Sequence, residues 1–277
     1  MAQNVTTAFV DLFDSEVKQA YQAESLLRGT MRTRTGVAGN TVKFPTIGKG
    51  VATLRVPQTD VTPLNVTYGR VTATMEDYIA AEYSDIFQQS HINFDERSEL
   101  VQVVSKSIAR RMDQIMIDAL NAATGTSTVA TSVGGAGTNM NIEKLRATAK
   151  ALNEKNVPAE GRRLLMHASQ LDALLGETEI TSQDFAAVKA LVQGEINTFM
   201  GFTILTMGDR DEGGIPKPST RTCFAWHQDS MGYAESMSQK TEVNYVPEKT
   251  SFLVSSMFSA GAIAIDGEGI VKISCTE

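Results

Sequence analysis

Residues 36–75 read GVAGNTVKFPTIGKGVATLRVPQTDVTPLNVTYGRVTATM. Glycine, threonine and valine dominate, and Pro45, Pro57 and Pro63 break the stretch into pieces, a composition of extended chain and turns rather than helix. Val42 and Phe44 alternate with polar neighbours, as do Ala52, Leu54 and Val56. After Gly69 the apolar set moves from Val66 and Tyr68 to Val71, Ala73 and Met75, a change of phase that predicts a bulge or twist at Gly69. The pieces pair into one long hairpin. An isolated two-stranded hairpin is marginal in water, and a loop of this length inside one compact domain is itself suspect, so the hairpin is expected to lie on a neighbouring subunit. Its distal part, residues 47–61, offers few core anchors among Gly48, Gly50, Pro57 and the threonines.

Working outward, residues 6–27 place Phe9, Leu12, Phe13, Val17, Ala20, Tyr21 and Leu27 at helical spacing, so a helical arm is expected, capped by Thr6 or Thr7. Arg28, Arg32 and Arg34 follow in a segment without periodicity. They suit a solvated turn, or a clamp on a neighbour's carboxylates or on internal DNA, and they are not counted as site residues. Beyond the hairpin, Val101, Val104, Ile108, Met112, Ile115 and Ala119 form one stripe, widened by Leu100, Met116 and Leu120. This predicts a helix from a cap at Asp95 to about Ala123, roughly 40 Å long, a structural spine. Its apolar stripe reads as core, and Arg110 and Arg111 as solvated.

Residues 124–139 hold Gly125, Gly134, Gly135 and Gly137 among Ser, Thr and Ala and read as a flexible loop. A phosphate-cradling loop would need Lys and then Ser or Thr, whereas Thr138 and Asn139 follow the last glycine, so nucleotide binding is excluded. Asn141 caps a helix to Leu152, and a strand at 164–166, short helices at 169–175 and 184–191 and a strand at 201–207 come next. Residues 209–220 form a polar turn, and strands are expected at 223–227, 242–246, 251–265 and 270–274. No βαβ rhythm is evident, so the fold class is mixed α+β.

Composition bounds the function. The 277 residues, 42% hydrophobic and 21% charged, suit a globular chain with a sizeable core. A net charge of -7 opposes wholesale wrapping of nucleic acid, leaving only local DNA contact. The first thirty residues carry Asp11, Asp14, Glu16 and Glu24 and no long apolar run, so neither a secretory signal nor a membrane span is expected. Cys223 and Cys275 lack metal-ligand spacing and read as two inert thiols. His91, His167 and His227 lie in no metal motif. Asp229 and Ser230 follow His227 closely, but a triad is geometry between distant segments, and this adjacency carries little. The carboxylate pairs Glu76/Asp77 and Glu177/Glu179 suit solvated turns. No catalytic, cofactor-binding or metal residue is therefore assigned, no cofactor is expected, and the chain reads as a non-enzyme.

Order and phrasing together carry a resemblance. The hairpin runs through Thr41-Val42-Lys43-Phe44-Pro45, and the spine helix opens near Asp95. Asn156-Val157-Pro158 and Gly161-Arg162-Arg163 lead into Leu164-Leu165-Met166 and Gln170-Leu171-Asp172-Ala173-Leu174-Leu175, and Gly194-Glu195-Ile196 precedes Gly201-Phe202-Thr203-Ile204-Leu205. Over nearly its whole length the chain resembles the major capsid proteins of tailed bacteriophages with the Hong Kong 97 fold. The resemblance implies an N-terminal arm at 1–35, an E-loop hairpin and return strand at 36–90, a peripheral domain with spine helix and Gly-rich loop at 91–140, an axial domain at 141–234, and peripheral return strands with a final axial strand at 235–277.

It further implies a virion protein assembled in the host bacterial cytoplasm from hexamers and pentamers into an icosahedral shell around double-stranded DNA. Its partners would be further copies of itself, a separate scaffolding protein (no long coiled-coil segment precedes the arm), a portal and a possible decoration protein, without a membrane. Some relatives cross-link a hairpin Lys to a neighbour's Asn. Lys43, Lys49 and Asn244 are present here, but no pattern fixes the required Glu, so noncovalent shells are expected. An encapsulin-type compartment shell shares the fold and is the alternative, with an α+β hydrolase a distant third.

Overall fold

The computed structural model describes residues 24–61, 63–91, 95–176, 198–210 and 212–277. Most of the arm helix expected at 6–27, the short helix at 184–191 and the Gly194 loop lie outside the described residues. Two sheets and a separate hairpin organise the rest. Strands β1 (Arg32–Thr35), β2 (Thr41–Ile47), β3 (Tyr68–Thr74) and β4 (Glu76–Asp85) precede a short helix α1 (Ile86–Gln89) and the spine helix α2 (Glu96–Ala122). Then come β5 (Ser127–Val129), α3 (Ile142–Glu154), β6 (Arg162–His167), α4 (Ala168–Leu175), β7 (Thr198–Phe199), β8 (Phe202–Met207) and β9 (Arg221–His227). The chain closes with β10 (Met231–Val246), β11 (Ser251–Ala264) and β12 (Ile270–Cys275).

One sheet has the order β1-β10-β11-β4 and the other β5-β12-β9-β6-β8-β7, while among the described residues β2 and β3 pair only with each other. The spine helix lies on the four-stranded sheet. Along it Val104, Ile108, Met112, Met116, Ile117 and Leu120 are buried, the one-sided stripe that drives an amphipathic helix onto a sheet. Those from Ile108 onward meet Phe258 and Ala260 of β11, Leu27 and Met31 of the arm, and Phe224 and Trp226 of β9 in one core that joins both sheets. A second core fills the six-stranded sheet, with Leu145 and Leu152 of α3 against Leu164, Met166, Phe202, Val271 and Ile273.

Several expectations change. The chain at 24–27 is not helical, because the amide N–H groups of Leu26 and Leu27 turn to the Asp113 carboxylate instead of to carbonyls of a preceding turn. No bulge interrupts the β2–β3 ladder, which runs in register from Thr41↔Thr74 to Ile47↔Tyr68. Gly69 serves close approach instead, since a Cβ there would lie 2.7 Å from Thr46 Oγ1. The Gly-rich loop contains β5, which pairs in parallel with β12. The strand expected at 242–246 begins eleven residues earlier, at Met231, because β1 and β11 flank its first half and satisfy its backbone on both sides. A local βαβ unit exists: β6 and β8 are parallel neighbours, with α4 between them in sequence. The cue was weak because the connection is long and passes through β7.

Candidate assembly surface

The hairpin divides into an anchored base and a bare tip. At the base Val42, Phe44, Ala73 and Met75 form a small core with Ala234, flanked by Val37, Ile263 and Ile265. Phe44 is fully buried, and its ring lies where a side chain at position 232 would stand: a Cβ on Gly232 would sit 2.8 Å from the ring. The Met75 N–H donates to Asn40 O at 2.9 Å and the Gly48 N–H to Thr67 O at 2.8 Å, closing both ends of the ladder. Beyond Gly48 regular structure stops. Val51, Leu54 and Val61 are 82%, 94% and 88% exposed, with Ile47, Leu64 and Tyr68 also bared. A run of large apolar side chains on a projecting segment marks an interaction site rather than ordinary surface. Lys49 reaches Glu268 in the turn Gly267–Gly269, which places the tip beside the end of β11.

A buried polar hub fixes the arm and the loop after β8 to the spine. Asp113 is wholly buried, and its carboxylate accepts from Ser25 Oγ at 2.9 Å, Leu26 N at 3.0 Å, Leu27 N at 3.1 Å and Arg210 Nη1 at 2.8 Å. Beside it the Gly213 N–H donates to Gln114 Oε1 at 2.7 Å. Arg111, expected to be solvated, lies 4.5 Å over the Tyr78 ring and pairs with Glu212 at 2.9 Å. Of the arginine cluster, Arg28 reaches the buried Glu235 of its own chain at 3.4 Å, and Arg32 and Arg34 lie on β1. Helical periodicity registered Asp113 only as one more polar residue, although an acidic residue within the apolar stripe is a usable signal of a buried partner.

A second charged cluster closes the six-stranded sheet. Glu277 accepts from Arg221 and Lys217, from Ser169 Oγ at 3.0 Å and from Gln170 Nε2 at 3.2 Å, while Asp209 takes Arg221 Nη2 at 2.9 Å. His167 stands between the two carboxylates, 3.3 Å from Asp209 and 3.6 Å from Glu277, and its Nδ1 accepts the Ser169 N–H that opens α4. Burial pushes the Glu277 carboxyl up, but hydrogen bonds from Arg221, Lys217, Gln170 and Ser169 outweigh it and hold the group well below the usual carboxylate range. A depressed folded-state value means stability that is fully present above the ordinary value of 4.5 and is lost progressively as pH falls from there through the depressed folded-state value. Glu277→Gln should therefore cost about 1–2 kcal/mol at pH 7, and urea midpoints of variant and parent should converge as pH drops below about 4. A gap unchanged at pH 3 would contradict this.

The remaining candidates serve structure. His227 accepts the Asp229 N–H and caps the turn Gln228–Ser230, so the His-Asp-Ser run is a capping motif. His91 is exposed. Glu76 bonds Tyr78, Asp77 is exposed on β4, and Glu177 and Glu179 lie outside the described residues. Cys223 and Cys275 are free, buried and brought onto the neighbouring strands β9 and β12; a hydrogen bond that the Cys223 thiol donates to Cys275, then burial, hold the Cys223 thiol well above its usual range. Among the described residues no group of three His, Cys, Asp or Glu is placed to hold a metal ion. No helix among them is long and apolar enough to cross a membrane. Lys144, which the sequence did not single out, is buried and donates to Thr138 O at 2.6 Å and Ser274 O at 3.0 Å, tying the Gly-rich loop to β12.

The family profile described as phage capsid protein matches residues 5–277. The chain belongs to the phage capsid protein family. Solved structures agree on the fold. The capsid of the cyanophage P-SCSP1u is similar at a TM-score of 0.78 and 16% identity, covering 100% of this chain and 96% of that one. The head of the Helicobacter pylori bacteriophage KHP40 gives 0.79 at 11% identity over 99% and 97%. Mycobacterium phage Che8 gives 0.73 at 15% identity over 95% and 96%. A search of the curated proteins finds no match. The chain is thus a phage capsid protein, structural in role, with a mixed helix-and-sheet fold shared with solved phage capsids, and nothing in these likenesses favours a compartment shell or a hydrolase.

Proposed function

We propose that the chain assembles as hexamers and pentamers into an icosahedral shell around double-stranded DNA, each hairpin tip clamping a neighbouring copy. The observation that carries the reading is the tip itself, apolar and unburied in its own subunit while its base is anchored at Phe44. In this reading the four-stranded sheet with α2 is the peripheral part and the six-stranded sheet the axial part of the capsomer. The chain acts without catalysis and assembles in the host cytoplasm with a separate scaffolding protein. The portal, a decoration protein and local, sequence-independent DNA contact complete its partners.

The test replaces residues 50–65 with a short Gly-Ser turn and co-expresses candidate scaffold. The deleted chain should be soluble, with near-native circular dichroism and a cooperative melt, and negative-stain microscopy should show no shells. Closed shells from this variant would overturn the clamp; an unfolded variant would place the tip in the subunit's own core.

The mature shell is noncovalent in this reading. Lys43 and Lys49 lie on the hairpin as solubilising charges, Lys49 paired with Glu268 of its own chain. Boiling purified shells in detergent should release single chains of 29.9 kDa, and a ladder of multimers would refute it.

A further inference from the structure

We infer that Cys223 and Cys275 form a redox site, a dithiol that closes into an intrachain disulfide when a small disulfide oxidant reaches it. The chain has two cysteines, far apart in sequence and read there as inert. The fold brings them together. Strands β9 and β12 are antiparallel neighbours, with Cys223 opposite Ile273 and Arg221 opposite Cys275. Residues two apart on a strand share a face, so both thiols stand on the same face as diagonal neighbours. Each is 0% exposed, in the core that holds Leu145 and Leu152 of α3. The Cys223 thiol donates its hydrogen bond to Cys275, so the two sulfur atoms already meet.

The surroundings give each sulfur a different role. Lys144 is wholly buried, and its ammonium donates to two carbonyls, Thr138 O and Ser274 O. Carbonyls carry no net charge to balance a buried cation, and Cys275, the residue after Ser274, is a neighbour that can. The hydrogen bond from Cys223 holds the Cys275 thiol below its usual range, with Lys144 in support, against burial and the Glu277 charge. Cys275 is therefore the attacking sulfur and Cys223 the resolving one.

The oxidant is a small-molecule disulfide of the glutathione class. Cys275, its proton given to water, attacks one sulfur of the oxidant, whose S–S bond breaks and releases a thiolate. Cys223 passes its proton to that thiolate and attacks the Cys275 sulfur, and the second thiolate leaves and takes up a proton from water. Two protein thiols become one disulfide while one oxidant disulfide becomes two thiols. Diagonal partners lie about 7–8 Å apart between Cα atoms, at the outer limit for a disulfide, so closure draws the end of β12 toward β9. Cys275 is the last residue of β12, where such a shift breaks no further ladder. On the reading proposed above, both thiols persist in the reducing host cytoplasm, and the staple closes in the released particle.

The full-length chain and its Cys223→Ser and Cys275→Ser variants are incubated with oxidised glutathione, in urea below the unfolding midpoint so that the strand end opens. The fully unfolded parent is the control for a competent oxidant. Thiols are titrated after denaturation, with intact masses and non-reducing gels. The parent should lose both thiols as a single chain without bound glutathione, recover them with dithiothreitol, and unfold at a higher urea concentration while oxidised. Cys223→Ser should hold one glutathione, and Cys275→Ser should react at least about tenfold more slowly. A parent that keeps both thiols, binds two glutathiones or links into dimers overturns the site. Equal rates in the two variants overturn the roles assigned to the sulfurs. None of these readouts depends on assembly, so they stand or fall separately from the hairpin clamp.

Discussion

Asp113→Ala is expected to cost about 3–5 kcal/mol, because it removes the wholly buried carboxylate that several donors share and leaves those donors behind. Two backbone N–H groups, those of Leu26 and Leu27, lose their partner, and the guanidinium of Arg210 loses its counter-charge. Buried donors with no acceptor cost their full desolvation, which is why one removed carboxylate outweighs a typical hydrogen bond. Against the roughly 5–15 kcal/mol that keeps a domain folded, such a loss empties the soluble fraction at 37 °C. Arg210→Ala should cost less, since Asp113 keeps Ser25 and the two amides, and the double variant should cost little more than Asp113→Ala alone. Urea unfolding of the three variants measures this cycle. Simple additivity of the two single losses would show that the residues act independently and that the hub is not a unit.

Ile108→Ala should cost about 2–5 kcal/mol by opening a cavity where α2 meets β11. Ile108 is 2% exposed and shares the central core with Met112, Phe258 and Leu27, which come from a helix, a strand and the arm and cannot all close in on the space. Val103 supplies the control on the same helix: it is 37% exposed, and Val103→Ala should stay within about 0.5 kcal/mol. The readouts are the soluble fraction and the urea midpoint. Equal losses at the two positions would mean that the buried stripe is not the seat of the subunit's stability. Both core changes should also differ in kind from the hairpin deletion, which leaves the melt and removes the shell.

What the residues settled alone is what local pattern can settle. The spine helix was legible because a stripe at helical spacing runs unbroken from Val104 to Leu120, and its observed span, Glu96–Ala122, falls within a residue of the expectation. The hairpin was legible because Val42 and Phe44 alternate between glycine-rich turns, and the apolar tip had no place in a small core. Ladders, by contrast, join segments far apart in the chain, and periodicity within one segment says nothing of its neighbour. Only the tertiary structure therefore paired β1 with the start of β10, set β6 beside β8 in parallel and drew the Gly-rich segment in as β5. It likewise decided the chemistry of the polar residues. Asp113 on α2 and Glu277 beside Arg221 look like ordinary surface charges along the chain, and each becomes the junction of a hydrogen-bond network, that of Asp113 closed over a wholly buried carboxylate, once residues 86 to 97 or 56 to 108 positions away fold against it. Burial is a property of the whole packing, because water leaves a charged group only when distant parts of the chain close over it together.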